Sequence, residues 1–175
     1  MSRPGRVISI EMTPFKEVQR LRENAIVKVT LLFLAASAAW MLWIALQAGA
    51  HSIVRGLAAV PALVSWALIA WLWVGRLETE VGSEQVCLRY WPLWFPKRIA
   101  LSEIESSEAI QYRPIRDYGG WGIRWGRGGW IWNVYGNRGV RLNFNNGKHF
   151  VIGTQQPDPL AAAIEAARGS LNREL

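Results

Sequence analysis

Residues 25–46 read AIVKVTLLFLAASAAWMLWIAL, and residues 57–74 read LAAVPALVSWALIAWLWV. The first run holds one charge, Lys28, close to its start, and the second holds none. At about 1.5 Å of rise per residue the first is about 33 Å long, enough to cross the hydrocarbon core of a bilayer. Both are apolar all round rather than along one stripe, unlike the amphipathic helices that line a soluble core. Pro61 sits near the start of the second run, where a missing N–H costs little. Trp40 and Trp43 lie toward the far end of the first run, and Trp71 and Trp73 at the exit of the second. Indoles favour the membrane–water interface at such positions. The two runs therefore predict a transmembrane helical hairpin over 25–74, joined by residues 47–56. Ala48-Gly49-Ala50 mimics a signal-peptide cleavage site, but the apolar stretch is too long and a second one follows at once.

Basic residues orient the hairpin. Arg3, Arg6, Lys16, Arg20 and Arg22 precede it, Arg76 follows it, and the connector holds only Arg55. The positive-inside rule then places both termini in the cytoplasm. Residues 1–24 form a basic N-terminal segment. Thr13-Pro14 reads as a helix start, and Phe15, Val18 and Leu21 recur at a spacing of three. This predicts either an amphipathic helix lying on the membrane surface or an N-terminal extension of the first span.

After Leu77 the apolar period becomes two. LETEV, QVCLRYW, KRIAL, WGIRW, WIWNVY, VRLNF and KHFVIG read as strands, with a further strand around Ala109–Tyr112. Turn signals separate them, the strongest being Asn146-Gly147 between VRLNF and KHFVIG. Asp158 as N-cap and Pro159 as first helical residue open a last helix, with Leu160, Ala163, Ile164, Ala167 and Leu171 on one face. Residues 77–175 thus predict seven or eight antiparallel strands closed by a C-terminal helix that covers one opening of a sandwich or barrel.

The arrangement resembles the pleckstrin-homology (PH) superfold. The run GVRLNFNNGKHFVIGTQQPDPLAAAI is similar to the end of the small PH-like domains of bacterial membrane proteins, which often carry one or two transmembrane helices before the domain. Gly139-Val140, Asn146-Gly147-Lys148, Ile152-Gly153-Thr154, Pro157 and the following helix carry the likeness, with WGIRW adding to it. The resemblance implies an α+β, mostly antiparallel PH-like domain over 77–175 and a place in the bacterial inner membrane. It names a fold and not an activity. Members that bind inositol phosphates do so with Lys and Arg around the first hairpin. Here that turn is Gly82-Ser83-Glu84, flanked by Glu78 and Glu80, which argues against such binding.

Catalytic constellations are not legible. His51 and His149 fall on opposite sides of the predicted membrane, and no His, Cys, Asp or Glu cluster has metal-ligand spacing. GGWGIRWGRGG lacks the lysine-serine ending of a phosphate-binding loop and reads as a hairpin. Cys87, the single cysteine, lies in an alternating apolar strand and reads as a small core residue. No cofactor or metal is expected, and the chain is read as non-enzymatic. The competing reading is an accessory subunit of a membrane enzyme or transport complex.

Charge carries more information. The formal net charge is +7, and seven basic residues fall between Arg113 and Lys148 against Asp117 alone, with Trp and Tyr interleaved. On a membrane-tethered domain this pattern favours anionic headgroups over nucleic acid, or is an ordinary sheet with Trp inside and Arg outside. A strand-by-strand meander from Leu77 brings Trp91, Trp94, Phe95, Arg113, Arg116, Tyr118 and Arg138 to the bilayer side. These seven are the predicted membrane-interface residues, with Trp94 and Phe95 at headgroup level and the arginines on phosphates. The expected partners are the lipid bilayer and its anionic headgroups, and a protein partner or a second copy of the chain.

Overall fold

The computed structural model describes residues 15–47, 52–93, 95–126 and 129–174. In chain order these form β1 (Lys16–Arg20), α1 (Ala25–Leu46), α2 (Ser52–Val74), β2 (Arg76–Val81), β3 (Gln85–Trp91), β4 (Lys97–Ala100), β5 (Ile104–Gln111), α3 (Pro114–Tyr118), β6 (Gly122–Gly126), β7 (Gly129–Asn133), β8 (Arg138–Phe144), β9 (His149–Gly153) and α4 (Pro157–Glu174). The proposed Thr13-Pro14 helix start, Trp94 and residues 48–51 of the connector between the helices lie outside the described residues.

The helical hairpin is inserted into a sheet. β1 precedes α1 and pairs antiparallel with β2, which follows α2, in the register Lys16↔Glu80 to Arg20↔Arg76. The Leu21 amide donates to the Gly75 carbonyl at 2.8 Å, closing the base of the hairpin. Lys16–Arg20 is therefore a strand, and neither the amphipathic surface helix nor the extension of the first span that the sequence predicts. Its alternation is inverted: Val18 faces outward, and Glu17 and Gln19 face inward. A period of two carried by polar residues escapes a search for apolar repeats. The domain accordingly starts at the residues before the hairpin and not at Leu77.

α1 matches the predicted first span. Ile26, Val29, Leu32, Phe33, Leu42 and Leu46 are exposed, so it is not the core helix of the domain. α2 begins at Ser52 rather than 57, so the helix runs through Arg55 and Gly56 ahead of the uncharged stretch. Pro61 consequently lies inside the helix, where its carbonyl accepts the Ser65 hydroxyl at 2.9 Å. The helices pack against each other, and the buried positions Ala38 and Ala62 are small enough to permit close approach.

Two sheets enclose the core. One has the order β1-β2-β3-β4, and the other β5-β8-β9-β7-β6. Leu77, Val86, Leu88 and Ile99 from the first face Val140, Leu142, Phe150 and Ile152 from the second. α4 adds Leu160, Ile164 and Ala167 to this core and leans on β5, β8 and β2, so it closes one side of the sandwich. Polar contacts fix it there: Glu165 accepts the Ser107 amide at 2.9 Å, and Arg168 donates to the Glu105 carbonyl at 2.6 Å. The helix starts at Pro157, earlier than the Asp158 cap expected, with the Thr154 hydroxyl accepting the Gln156 amide.

The domain is mostly antiparallel, but β7 and β9 pair in parallel, Trp130↔Phe150 among the pairs. The simple meander does not persist: β8 and β9 insert between β5 and β7. β5 also runs from Ile104 rather than from about Ala109, because a strand alternating Glu and Ser carries little apolar signal. Nine strands result among the described residues, one of them ahead of the hairpin.

Candidate functional site

The strand ends divide into two groups. At one end lie Gln111, Arg138, Asn133 and Gly153, by the registers of β5, β8, β7 and β9. At the other lie Ile104, Phe144, His149, Gly129 and Gly126. The helices leave from the first end. Asn24 caps α1, its side-chain oxygen accepting the Ile26 amide at 2.9 Å, and its amide nitrogen donates to the Val134 carbonyl at 3.1 Å. The Tyr135 hydroxyl donates to Glu23 at 2.8 Å. Burial, with the neighbouring Glu23 carboxylate, pushes the Tyr135 phenol up to about 12.

The inward polar residues of β1 clamp the turn between β9 and α4 at this same end. Glu17 accepts from the Thr154 hydroxyl and from the Gln155 amide, the latter at 2.9 Å. The Gln19 amide nitrogen donates to the Gly153 carbonyl at 2.7 Å. Nearby, Tyr112 lies across Gly139 and Gly153: a Cβ at either would meet its ring or hydroxyl at 3.2 or 3.1 Å. Its hydroxyl accepts the Asn133 amide nitrogen at 3.0 Å, and Asn133 in turn accepts the Gly122 amide. Burial pushes the Tyr112 phenol up to about 12, the Asn133 hydrogen bond opposing.

The predicted interface set is distributed unevenly. Trp91 stands beside the helix base, its ring 5.7 Å from the Arg76 guanidinium. A second such pair, Arg22 over Trp73 at 5.0 Å, lies on the hairpin itself. Arg113 and Arg116 are exposed beside Asn137, and Arg138 is exposed at the start of β8. Tyr118 is only 8% exposed and packs edge-on to Tyr112, with Ile131 and Val151, on the outer face of the larger sheet. It is a packing residue and leaves the interface set. Phe95 is exposed but lines a cleft between the sheets, apart from Trp91. Ile115, which the sequence does not single out, is an apolar residue 68% exposed between Arg113 and Arg116 on α3.

That cleft has a volume of about 730 Å3. It opens between the free edges of the two sheets, β4 and β6. Its walls are Phe95, Ile123, Trp125, Trp130, Trp132, Phe144 and Phe150, and its rim carries Lys97, Glu103, Asn145, Lys148 and His149. The geometry follows from the pleat. Ile123 and Trp125 alternate with Arg124 on β6, and Trp130 and Trp132 alternate with Ile131 on β7, so four large side chains share one face. Trp125 and Trp130 meet edge-on at 5.4 Å, and Trp132 packs between Phe150 and Tyr90. Burial lifts the Tyr90 phenol to about 12, with Arg124 opposing. Trp130 and Trp125 are 47% and 59% exposed, so no opposing strand covers them. The sequence left these tryptophans open between an ordinary sheet with Trp inside and a face for anionic headgroups. It had no means of showing that the smaller sheet ends at β4.

The floor at the far end is fixed by Asn145, whose amide and side-chain nitrogens donate to the Glu103 and Ser102 carbonyls. Such a cleft, apolar with a few polar groups at its mouth, has the size and lining of a binding site. No protein-family model matches the chain, and no curated protein matches it in sequence.

Proposed function

We propose that this chain is a non-enzymatic integral protein of the bacterial cytoplasmic membrane, anchored by the α1–α2 hairpin, with both termini in the cytoplasm. Its PH-like domain serves as a binding module that engages a protein partner, while its helix-proximal end rests on anionic headgroups. The observation that carries this reading is the insertion of the hairpin between β1 and β2. A hairpin whose two ends are joined through one sheet must leave and re-enter the same side of a bilayer. A signal peptide removed after the first helix would take β1 out of the sheet, which supports retention of the hairpin.

Further support comes from the surface. The exposed apolar girdle of α1 and α2 needs a non-aqueous surrounding. Trp73 and Trp91 with Arg22 and Arg76 at the hairpin base suit the interface, as do Arg113, Arg116 and Arg138 beside it. Each cation close to an anionic leaflet contributes about 1 kcal/mol. Topology reporters test the reading. A reporter fused after Leu175 is expected to report cytoplasm, and one inserted near Gly49 the opposite side. A C-terminal reporter on the far side would overturn it.

A further inference from the structure

We propose that the aromatic cleft receives an extended segment of a partner protein, one that carries a bulky apolar side chain flanked by carboxylates and adds as a strand to the free edge of β6. The inference rests on reading the domain as a binding module and names the site and chemistry of its partner.

Three observations converge on this occupant. First, β6 ends the larger sheet and β4 ends the smaller one, so among the described residues each has a strand neighbour on one side only. The outward N–H and C=O groups of such an edge are a template for an added strand. Second, Phe95, Trp125 and Trp130 are 69%, 59% and 47% exposed around one opening. Clustered exposed tryptophans are unusual on a monomer surface and are the residue type that dominates protein interfaces. Third, the edges and rim carry Lys97, Arg98, Arg124 and Lys148 against Glu103. None of these four cations forms an ion pair with a described carboxylate.

The place of the two exposed tryptophans favours a partner over the bilayer. The Trp125–Trp130 pair lies at the Gly126/Gly129 end of its strands, opposite the Asn133–Asn137 end from which the helices leave. That end of the larger sheet faces away from the hairpin, so a partner in the aqueous phase can reach the pair. The basic N-terminal residues of the chain, with Arg3 and Arg6, carry the wrong charge for this rim.

The test uses the full-length protein in phosphatidylcholine nanodiscs and a phage-displayed library of random decapeptides. Enrichment over empty nanodiscs is expected for peptides with an aromatic or large aliphatic residue flanked by Asp or Glu. A synthetic copy of an enriched peptide should bind Trp125→Ala, and separately the double variant Lys97→Glu/Lys148→Glu, at least about tenfold more weakly, a loss of about 1.4 kcal/mol or more for each variant. N-methylation of alternate backbone nitrogens should weaken it similarly. All these side chains are exposed, and an unchanged melting temperature of each variant establishes that the fold is kept. Absence of enrichment, equal binding to the variants, binding of dodecanoate in place of any peptide, or binding that emerges only after residues 2–14 are deleted would each overturn the proposal. Membrane topology is read separately by the reporters, so failure here leaves that part of the functional reading standing.

Discussion

Asn24 joins the helical hairpin to the β domain in two directions at once: its side-chain oxygen caps α1 at the Ile26 amide, and its side-chain nitrogen donates to the carbonyl of Val134. The residue is 7% exposed. Replacing it with Ala removes the cap, worth about 1 kcal/mol, and leaves the Val134 carbonyl without that donor. We expect Asn24→Ala to lower unfolding stability of the full-length protein in detergent by about 1–3 kcal/mol. Asn24→Asp keeps the cap and loses the donor, so it should fall between the two. Equal denaturation midpoints for all three proteins would rule out the joint.

The Glu17 carboxylate is buried against the Thr154 hydroxyl and the Gln155 amide. Glu17→Ala strands both donors in the interior, at a cost of about 1–3 kcal/mol. Glu17→Gln retains one acceptor oxygen and should recover part of that loss. Amide exchange at Gln155 is the direct readout: it should quicken in Glu17→Ala, and protection equal to wild type would count against the clamp.

Ile164 is fully buried among residues of both sheets and α4. Ile164→Asp introduces an unpaired charge into that core. The expected result is loss of the cooperative thermal transition of the β domain while the hairpin still partitions with membranes. An unaltered melting curve would contradict the packing of α4.

Alkaline pH should unfold the domain. The Tyr90 and Tyr112 phenols are held by burial at about 12, above their ordinary 10. Between those values the folded state keeps protons that the unfolded state releases, so stability falls as pH rises. The contribution is complete below pH 10 and is lost through pH 12, on the order of 2 kcal/mol for each residue. Denaturant midpoints at pH 8, 10 and 11.5 should be level across the first interval and drop across the second. A midpoint that held steady to pH 11.5 would exclude these shifts.

Ile115 reports on the helix-proximal surface. In a Cys87→Ala background, Ile115→Cys carrying an environment-sensitive fluorophore should be quenched by brominated phospholipid in anionic nanodiscs. Arg113→Glu/Arg116→Glu should reduce that quenching, since it replaces attraction by repulsion at the leaflet. No quenching in the parent would remove lipid contact for α3.

What the chain discloses before folding depends on where its signals lie. β2, β3, β8 and β9 alternate cleanly because Leu77, Val86, Leu88, Val140 and Ile152 each look onto one shared core. The Asn146-Gly147 turn and the apolar face of α4 were legible for the same reason: local chemistry and tertiary burial agree. β1 was opaque because its inward residues are Glu17 and Gln19, whose partners Gly153, Thr154 and Gln155 lie more than a hundred residues away. Trp125 and Trp130 posed the opposite problem. Their spacing matches a buried sheet face, and only the sheet order, with its parallel β7–β9 pair, leaves that face uncovered. Arg138 and Arg113 fall at the same end of the sheet, as the meander expects, since a hairpin inserted as a pair preserves which end each turn occupies.

The split of one sheet by two helices also dictates an order of events at the ribosome. β1 is synthesised first, then the whole hairpin, and only then β2, the strand it pairs with. Until Arg76 emerges, Glu17 and Gln19 have no interior to enter, and the segment must wait in solvent while the helices are delivered to their environment. On the proposed topology, pairing of β1 with β2 requires the hairpin to return both of its ends to one side. On that topology a hairpin inserted only half-way would hold β1 apart from β2 and leave the domain one strand short, with the turn at Thr154 unclamped.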